Sequence, residues 1–264
     1  MTKNILEAET ALVTGATSGI GKAVALAFAA KGLKVAINGF GSAPDVEAVI
    51  KELKSAGAKD ALHVPSDMSK VAEIETLIKS VQEKFGSLDV LVNNAGIQHT
   101  DSIEDFPVEK WDQVIAINLS SAFHTMRLAL PAMKDRNFGR IINIASVHGL
   151  VASVHKAAYV AAKHGIIGLT KVAALECAQL NITANSVCPG WVLTPLVEAQ
   201  VKAIAQSDDI PYEEATEKLL SEKQPSLRFV PLEQLAELCL FLASPAASSI
   251  TGASLPIDGG WTAR

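Results

Sequence analysis

Short runs of β-branched residues alternate with longer helical patterns along nearly the whole chain, and this alternation limits the possible folds more than any other feature. We expect seven strands, at residues 11–14, 33–37, 61–64, 89–92, 140–144, 182–187 and 253–257. Most of the segments between them, such as 20–31 and 45–56, have the apolar spacing of helices. Strands joined through helices must pair in parallel, since each connection is long enough to cross the sheet. The sequence therefore predicts an α/β fold, with a single doubly wound, Rossmann-type domain over residues 1–264 and helices on both faces of a seven-stranded parallel sheet.

One interruption of the alternation, at about 194–231, follows the sixth strand. It is polar and helical in pattern, and it carries four prolines: Pro195, Pro211, Pro225 and Pro231. Proteins of the α/β class place lids over ligands just beyond the carboxyl ends of their strands. We therefore expect a helical substrate lid, and a surface excursion without function is the alternative.

Charge and cysteine content exclude several classes of protein. The chain has 23 basic and 28 acidic residues, and a net charge of −5 makes it a poor general binder of nucleic acid or of an anionic membrane. No apolar stretch approaches the ~20 residues of a membrane helix, and residues 1–9 are too polar for a secretory signal. The three cysteines, Cys177, Cys188 and Cys239, lack the spacing of a zinc site, and no base lies near Cys188 in the sequence. We expect a cytoplasmic protein without a bound metal.

A glycine-rich turn lies between the first strand and the first helix, in Thr14-Gly15-Ala16-Thr17-Ser18-Gly19-Ile20-Gly21. Glycines there allow a tight turn and let backbone N–H groups approach a pyrophosphate. The helix that follows offers unpaired N–H donors and a positive partial charge to the phosphates. This turn predicts a dinucleotide site.

The residues beyond the second strand favour NAD over NADP. A ribose-binding acid is expected about 20 residues after such a turn, but the strand ends in Asn38-Gly39-Phe40-Gly41. Neither this tip nor Ser18 in the glycine turn supplies a cation for a 2′-phosphate. Because Phe40 could cover the ribose edge, a phosphate there would be desolvated and unpaired.

Tyr159 and Lys163 are four residues apart, which places a phenol and an ammonium on one face of a helix. Ser146 follows the fifth strand, 13 residues earlier. A phenol with a pKa near 10 is a poor base at neutral pH, but a neighbouring Lys⁺ and an oxidised nicotinamide would both favour the phenolate. A serine hydroxyl could donate to the reacting oxygen. The three side chains together predict hydride transfer between an alcohol and a nicotinamide.

Over essentially its whole length the chain resembles the short-chain dehydrogenase/reductase family. The resemblance rests on the turn, on the Tyr159/Lys163 pair, and on Asn93-Asn94-Ala95-Gly96, Asn118, Pro189-Gly190, Thr194 and Asp258-Gly259-Gly260. It implies a catalytic set of Asn118, Ser146, Tyr159 and Lys163, in which Asn118 holds a water that links Lys163 to solvent. It also implies a homotetramer, in which the long helix that carries Tyr159 and its neighbour form one interface and the last strand forms another.

The same resemblance implies a set of cofactor-binding residues. They are Gly15, Thr17, Ser18, Gly19, Ile20, Gly21, Phe40, Asp67, Met68, Asn94, Ala95, Gly96, Tyr159, Lys163, Pro189, Gly190, Val192 and Thr194. Asp67 would contact the adenine, and the residues from Pro189 to Thr194 would orient the nicotinamide. The segment at Asn93 could equally brace the sheet, and the two roles are compatible.

A second group of residues indicates a small carboxylate substrate. Lys156 lies one helical turn before Tyr159, and His148 lies on the same loop as Ser146. A cation and an imidazole near the reacting carbon suit a carboxylate, and Trp191 and Trp261 could wall the pocket. Five less common segments, at residues 96–100, 145–152, 189–192, 221–226 and 258–264, resemble the branch of the family that interconverts 3-hydroxybutyrate and acetoacetate. This resemblance implies carboxylate contacts by Gln98, His148, Lys156 and Gln200. Two alternatives remain open: a reductase of thioesters or sugar acids, and an inactive protein that senses NADH.

Overall fold

The computed structural model describes residues 6–263, except for the side chain of Leu196. Residues 1–5 and 264, which belong to the predicted domain and to its polar opening segment, lie outside this range. Seven strands are present: β1 (Thr10–Val13), β2 (Lys34–Ile37), β3 (Asp60–His63), β4 (Val90–Asn93), β5 (Gly139–Ile144), β6 (Ile182–Pro189) and β7 (Ser254–Ile257). Each lies within two residues of its predicted position.

Nine α-helices connect and flank these strands in the described part of the chain. They are α1 (Gly19–Ala30), α2 (Ala43–Ala56), α3 (Val71–Phe85), α4 (Val108–Ile115), α5 (Ser121–Arg136), α6 (Ala157–Glu176), α7 (Pro195–Asp208), α8 (Tyr212–Ser221) and α9 (Leu232–Ala243). Helices α2 and α3 end at Gly57 and Gly86, whose φ angles of 118° and 82° are the left-handed conformation that glycine adopts without strain. A π-helical segment, Ala116–Ser120, joins α4 to α5.

The sheet has the strand order β3-β2-β1-β4-β5-β6-β7, and every pair is parallel. The chain starts in the middle, runs outward to β3, and then returns to β4 on the other side of β1. This reversal opens a crevice at the carboxyl ends of β1 and β4, which is where doubly wound sheets bind dinucleotides. The predicted doubly wound fold is confirmed.

Apolar residues fill both faces of the sheet. One cluster packs α1 and α9 against residues such as Val13, Val35 and Ile142, and the other packs α3 and α5 against Leu12 and Leu91. The four central strands β1, β4, β5 and β6 are buried along their whole length. Strands covered on both faces read as continuous apolar runs, which explains why the sequence revealed them.

The segment at 194–231 is helical, as predicted, and consists mainly of α7 and α8. These two helices pack on each other through a small apolar cluster of their own, which includes Val197, Val201, Ala215 and Leu219. The pair is therefore a separate packing unit beside the carboxyl end of β6, and its function as a lid stays a prediction. Of the helices between residues 6 and 263, none is long and apolar enough to cross a membrane.

Candidate active site

The turn between β1 and α1 has the shape that a pyrophosphate requires. Gly15 and Gly19 adopt φ angles of 61° and 55°, and a Cβ on Gly15 would lie only 2.8 Å from Cα of Ala95. Ser18 precedes α1 without a side-chain cap, so the first N–H groups of this helix have no side-chain acceptor from it. Free donors at a helix N-terminus behind a tight glycine turn fit the phosphates of a dinucleotide.

Asn94 braces this turn. Its Nδ2 donates to the main-chain oxygens of Thr14 and Gly15, each at 2.9 Å, while Thr14 Oγ1 accepts the N–H groups of Asn94 and Ala95, each at 3.0 Å. A Cβ on Gly21 would lie 2.4 Å from the Gly15 oxygen, so this glycine permits the helix to start close to the turn. The bracing role predicted for the segment after β4 is thus present in the side chain of Asn94.

Asn93, the last residue of β4, contributes to the same bracing from inside the sheet. Its Nδ2 donates to Asn143 Oδ1 on β5 at 2.8 Å, and its Oδ1 accepts from Thr125 on α5 at 2.6 Å. All three side chains are buried. A satisfied buried network of this kind fixes the relative positions of β4 and β5, whose ends carry the site.

Ser146, Tyr159 and Lys163 converge at the carboxyl end of β5. Ser146 lies two residues beyond β5, and Tyr159 is in the first turn of α6, where the Ser146 side chain is close enough to act on its pKa. The Lys163 ammonium donates to the main-chain oxygen of Ile144 at 2.7 Å and lies 5.6 Å from the centre of the Tyr159 ring. The structure brings together the three side chains that the sequence singled out.

Burial controls the proton affinities of this group. It raises the pKa of Tyr159, and the Ser146 side chain opposes the rise. It also lowers the pKa of Lys163 to about 8. We expected Lys163 to lower the pKa of Tyr159, but in the chain alone desolvation outweighs that attraction. A phenolate at this position would need a further positive charge, which an oxidised nicotinamide could supply.

Asn118 lies in the π-helical segment between α4 and α5. Its Oδ1 accepts the Ile97 N–H at 2.9 Å, and its Nδ2 donates to the Ile97 oxygen at 2.8 Å. The amide therefore binds the main chain of Ile97, and the role of Asn118 in holding a relay water stays a prediction. Single π turns that interrupt α-helices are frequent at functional sites.

A cavity of about 190 Å³ opens beside Ser146 and Tyr159. All eight predicted substrate-binding residues line it: Gln98, Ser146, His148, Lys156, Tyr159, Trp191, Gln200 and Trp261. Of the predicted cofactor residues, Ile20, Asn94, Gly96, Tyr159, Lys163, Pro189, Gly190, Val192 and Thr194 line it as well. Residues predicted to bind the nicotinamide and residues predicted to bind the substrate therefore line the same cavity.

Two tryptophans and a lysine form one wall of this cavity. The Trp191 and Trp261 rings lie 5.7 Å apart, and Lys156 Nζ lies 5.4 Å from the centre of the Trp191 ring. Trp191 Nε1 is buried and has no hydrogen-bond partner among the described residues. Burial and the charge of Lys223 lower the pKa of Lys156. A partly buried cation on this wall suits an anionic group of a ligand.

The comparisons with known proteins agree with this geometry. Residues 9–205 match the family described as short chain dehydrogenase. The chain belongs to the short-chain dehydrogenase family. D-beta-hydroxybutyrate dehydrogenases from Cupriavidus necator and Rhizobium meliloti are 57% and 51% identical to it, over 98% and 97% of this chain and 100% and 99% of theirs. Among solved structures, a variant of actinorhodin polyketide ketoreductase with NADPH has a TM-score of 0.90 and 38% identity, and covers 99% of both chains. The resemblance stated from the sequence is confirmed.

In this short-chain dehydrogenase the predicted substrate residue His148 is buried, with both ring nitrogens facing protein hydroxyls. Nδ1 lies 3.3 Å from Ser146 Oγ, and Nε2 lies 2.8 Å from Ser153 Oγ. Burial, together with the charges of Lys156 and Lys223, lowers the pKa of His148 to about 3. The ring is therefore a neutral imidazole, and its contact with a substrate stays a prediction.

Sequence reasoning missed three residues that hold this wall. Lys223 Nζ donates to Ser153 Oγ at 2.5 Å and lies 5.6 Å from the centre of the Trp261 ring. Gln224 is fully buried, and its Oε1 accepts the main-chain N–H of Trp191 at 2.7 Å. Ser153 and Lys223 are 70 residues apart, so no local spacing could have revealed the pair.

Three predicted cofactor residues, Thr17, Ser18 and Phe40, line a second hollow, which is the predicted adenosine end of the site. Phe40 is 72% exposed, as expected for a ring that covers a ligand rather than the core. One cation also lines the hollow, Lys22, but it is paired with Glu52 at 2.8 Å. A 2′-phosphate there would meet an already neutralised ammonium.

Two predicted cofactor residues have other partners in the structure. Asp67 Oδ1 accepts from Ser69 at 2.7 Å, and this hydrogen bond is the main reason that the pKa of Asp67 is lowered. The carboxylate stays partly exposed, so an adenine contact stays a prediction. The Met68 side chain is buried in the core. Any contact of Met68 with the cofactor is therefore left to its main chain.

The cysteines contribute no chemistry to the site. All three thiols are free and buried, and burial raises the pKa of Cys188 to about 11. A thiol with so high a pKa is a poor nucleophile at neutral pH. Within residues 6–263, no three or more His, Cys, Asp and Glu side chains are grouped so that they could hold a metal ion.

Proposed function

We propose that this chain is an NAD-dependent D-3-hydroxybutyrate dehydrogenase, which interconverts D-3-hydroxybutyrate and acetoacetate. One observation carries the proposal: the cavity presents the Lys156 ammonium, together with the amides of Gln98 and Gln200, on the wall beside Ser146 and Tyr159. This arrangement would hold a carboxylate while a nearby hydroxyl lies against the phenol. The names of the two curated relatives support the same substrate.

Each protein group has a role in the transfer of the hydroxyl proton. During oxidation Tyr159 accepts the proton of the 3-hydroxyl group, while the Ser146 hydroxyl donates to the oxygen that becomes the carbonyl. The Lys163 ammonium contributes a positive charge near the phenolate and could bind the ribose of the cofactor. When bound, the nicotinamide supplies the hydride acceptor or donor.

The cavity wall accounts for substrate size and stereochemistry. Gln98 and Gln200 line the cavity with Lys156, so amide and ammonium donors could grip the two carboxylate oxygens together. With the carboxylate held at one end and the oxygen held at Ser146 and Tyr159, only one face of the reacting carbon can be presented for hydride transfer. We expect Trp191 and Trp261, which line the cavity, to leave little room for a substrate chain longer than the methyl group of hydroxybutyrate.

The adenosine end supports NAD rather than NADP. Phe40 and the Lys22–Glu52 ion pair line the hollow where a 2′-phosphate would lie. A phosphate needs an unpaired cation or several donors, since its desolvation is costly.

Absorbance at 340 nm during turnover tests the function directly. We expect NADH formation from D-3-hydroxybutyrate and NAD, little from the L-enantiomer, and little with NADP. Preference for a β-ketoacyl thioester with NADPH would favour the alternative reductase, whereas NADH binding without turnover of any short hydroxyacid would indicate an inactive sensor. Because oxidation releases a proton, the equilibrium should shift about tenfold toward acetoacetate per pH unit.

We also propose that the protein is a cytoplasmic homotetramer. The apolar side chains of Phe123 on α5 and of Val172 and Leu175 on α6 are exposed, at 46%, 50% and 78%, on the helices expected to form an interface. Three free cysteines suit a reducing compartment. Light scattering during size-exclusion chromatography tests the tetrameric state, and cell fractionation tests the cytoplasmic location.

A further inference from the structure

Four polar side chains form a continuous line of hydrogen bonds that ends at Ser146. His148 Nδ1 lies 3.3 Å from Ser146 Oγ, and His148 Nε2 lies 2.8 Å from Ser153 Oγ. Lys223 Nζ completes the line at 2.5 Å from Ser153 Oγ. Lys223 belongs to the turn after α8, so the line connects the α7–α8 segment to the centre of the site.

Lys223 determines which atom donates in each hydrogen bond of this line. An ammonium can only donate, so the Ser153 oxygen accepts from Lys223. The Ser153 hydroxyl hydrogen then needs an acceptor, and among the described contacts of Ser153 this is His148 Nε2. The lone pair of Nε2 also faces the positive charge of Lys223, which is the electrostatically favoured arrangement.

The tautomer of His148 follows from this direction. A neutral imidazole carries one ring proton, and since Nε2 accepts, the proton lies on Nδ1. The ring stays neutral at working pH because burial lowers its pKa to about 3, helped by the charges of Lys156, Lys223 and His164. Glu222 partly offsets the charges, since its carboxylate raises the pKa of Lys156. His148 Nδ1–H therefore donates to Ser146 Oγ, and the ring has no second N–H for the carboxylate contact that the resemblance implied.

The orientation of the Ser146 hydroxyl is the final consequence. Its oxygen accepts Nδ1–H and also the main-chain N–H of His148, at 3.2 Å. With both lone pairs engaged, the hydroxyl hydrogen is left to donate into the cavity, toward Tyr159 and the reacting oxygen. In the other tautomer Nδ1 would accept this hydrogen and turn it away from the substrate.

We propose that Lys223 and Ser153 are positioning residues, which fix the Nδ1–H tautomer of His148 and thereby direct the Ser146 hydroxyl at the substrate oxygen. This inference rests on the proposed function, because it gives Ser146 the role of donor to that oxygen. It makes hydride transfer depend on a lysine of the α7–α8 segment that does not line the substrate cavity.

Nitrogen NMR of ¹⁵N-histidine-labelled protein reads the tautomer without any substrate. We expect the His148 signals, assigned by their loss in His148→Gln, to show Nδ1–H in the wild type and a shift toward Nε2–H in Ser153→Ala. An Nε2–H tautomer in the wild type would overturn the proposal, whatever the substrate of the enzyme is. If the Nδ1–H tautomer is present but D-3-hydroxybutyrate is not turned over, the proposed function fails and the hydrogen-bond line stands.

Steady-state kinetics supply the second readout. Ser153→Ala and Lys223→Met should each lower kcat about tenfold and change KM for D-3-hydroxybutyrate less than threefold, since the misdirected donor acts in the transition state. Ser153→Thr and Lys223→Arg keep the hydroxyl and the donor, and should recover most of the rate. Lys218→Met is the matched control, because Lys218 is an exposed lysine of α8 that pairs with Asp208. Unchanged kcat in Ser153→Ala, or a loss of kcat with the wild-type tautomer retained, would contradict the proposal.

Discussion

The Lys163 ammonium is held at 2.7 Å by the main-chain oxygen of Ile144, the last residue of β5. The bond places a buried positive charge at the carboxyl end of the central sheet, beside the phenol of Tyr159. Because the charge is desolvated, it costs stability, and we propose that its function is to act on the phenol of Tyr159.

Lys163→Met should separate these two effects. We expect kcat to fall about 100-fold, because the phenolate loses a nearby positive charge. The free energy of unfolding should change by less than about 2 kcal/mol, since an apolar side chain of similar length replaces a buried ion. Steady-state kinetics measure the fall in kcat, and denaturant titration measures the change in the free energy of unfolding. A strongly destabilised variant with nearly normal kcat would show that Lys163 is structural.

Tyr159→Phe should lower kcat about 1,000-fold, because the substrate hydroxyl loses its proton acceptor. Binding of NADH, followed by its fluorescence, should be unchanged within about twofold, since the ring and its packing remain. Tyr212→Phe is the matched control: Tyr212 is the other of the 2 tyrosines and packs in the apolar cluster of α7 and α8. Turnover of Tyr159→Phe within tenfold of the wild type would rule out the phenol as the base.

Lys156→Met should raise KM for D-3-hydroxybutyrate about 10- to 100-fold and leave KM for NAD unchanged. A charged hydrogen bond to the carboxylate is worth about 1.5–3 kcal/mol, and the variant loses it. Lys202→Met, on the exposed surface of α7 where Lys202 pairs with Glu198, serves as the control. An unchanged KM for the hydroxyacid would place the carboxylate elsewhere.

Phe40→Arg should raise kcat/KM with NADP at least about tenfold, because a guanidinium at the mouth of the adenosine hollow could pair with the 2′-phosphate. Adding Glu52→Gln should increase it further by releasing Lys22 from its ion pair. Glu47→Gln, an exposed acid on the same helix α2, is the control. No gain with NADP in either variant would show that this hollow does not receive the 2′-position.

Buried His148 should make the protein less stable in acid. Its pKa is lowered to about 3 in the folded state from an ordinary value of 6.5, so below pH 6.5 the unfolded chain takes up a proton that the folded chain refuses. Stability is therefore lost as the pH falls from 6.5 toward 3, by up to about 1.4 kcal/mol per pH unit. Urea titrations from pH 7 to 4.5 should show a shallower loss in His148→Gln. Parallel curves for the two proteins would mean that His148 is protonated in the fold.

The four central strands were predictable because burial on both faces requires continuous runs of mostly apolar residues. Local spacing also located Tyr159 and Lys163, since four residues make one helical turn. The role of Asn94 could be predicted only in part. Its segment indicated the cofactor region, but the sequence did not show that the Asn94 amide donates to Thr14 and Gly15, 80 and 79 residues earlier. Spacing along the chain says nothing about such a pair.

The direction of the pKa shift of Tyr159 could not be predicted from the sequence either. The expected lowering of the Tyr159 pKa by Lys163 follows from adjacency alone, whereas burial of both groups acts in the opposite direction. Desolvation depends on which residues bury a titratable group, and those residues come from segments far away in the sequence. The unpaired Trp191 Nε1 is known only because the whole cavity wall is in place.

The sequence by itself determined the order of strands and helices along the chain, the glycine turn and the serine, tyrosine and lysine set, because these depend on residues near one another in the chain. Only the tertiary structure decided that Lys223 reaches Ser153, and through His148 reaches Ser146. The physical reason is that hydrogen bonding and desolvation depend on distance in space, and the folded sheet and its flanking helices bring residues 70 positions apart to within 2.5 Å.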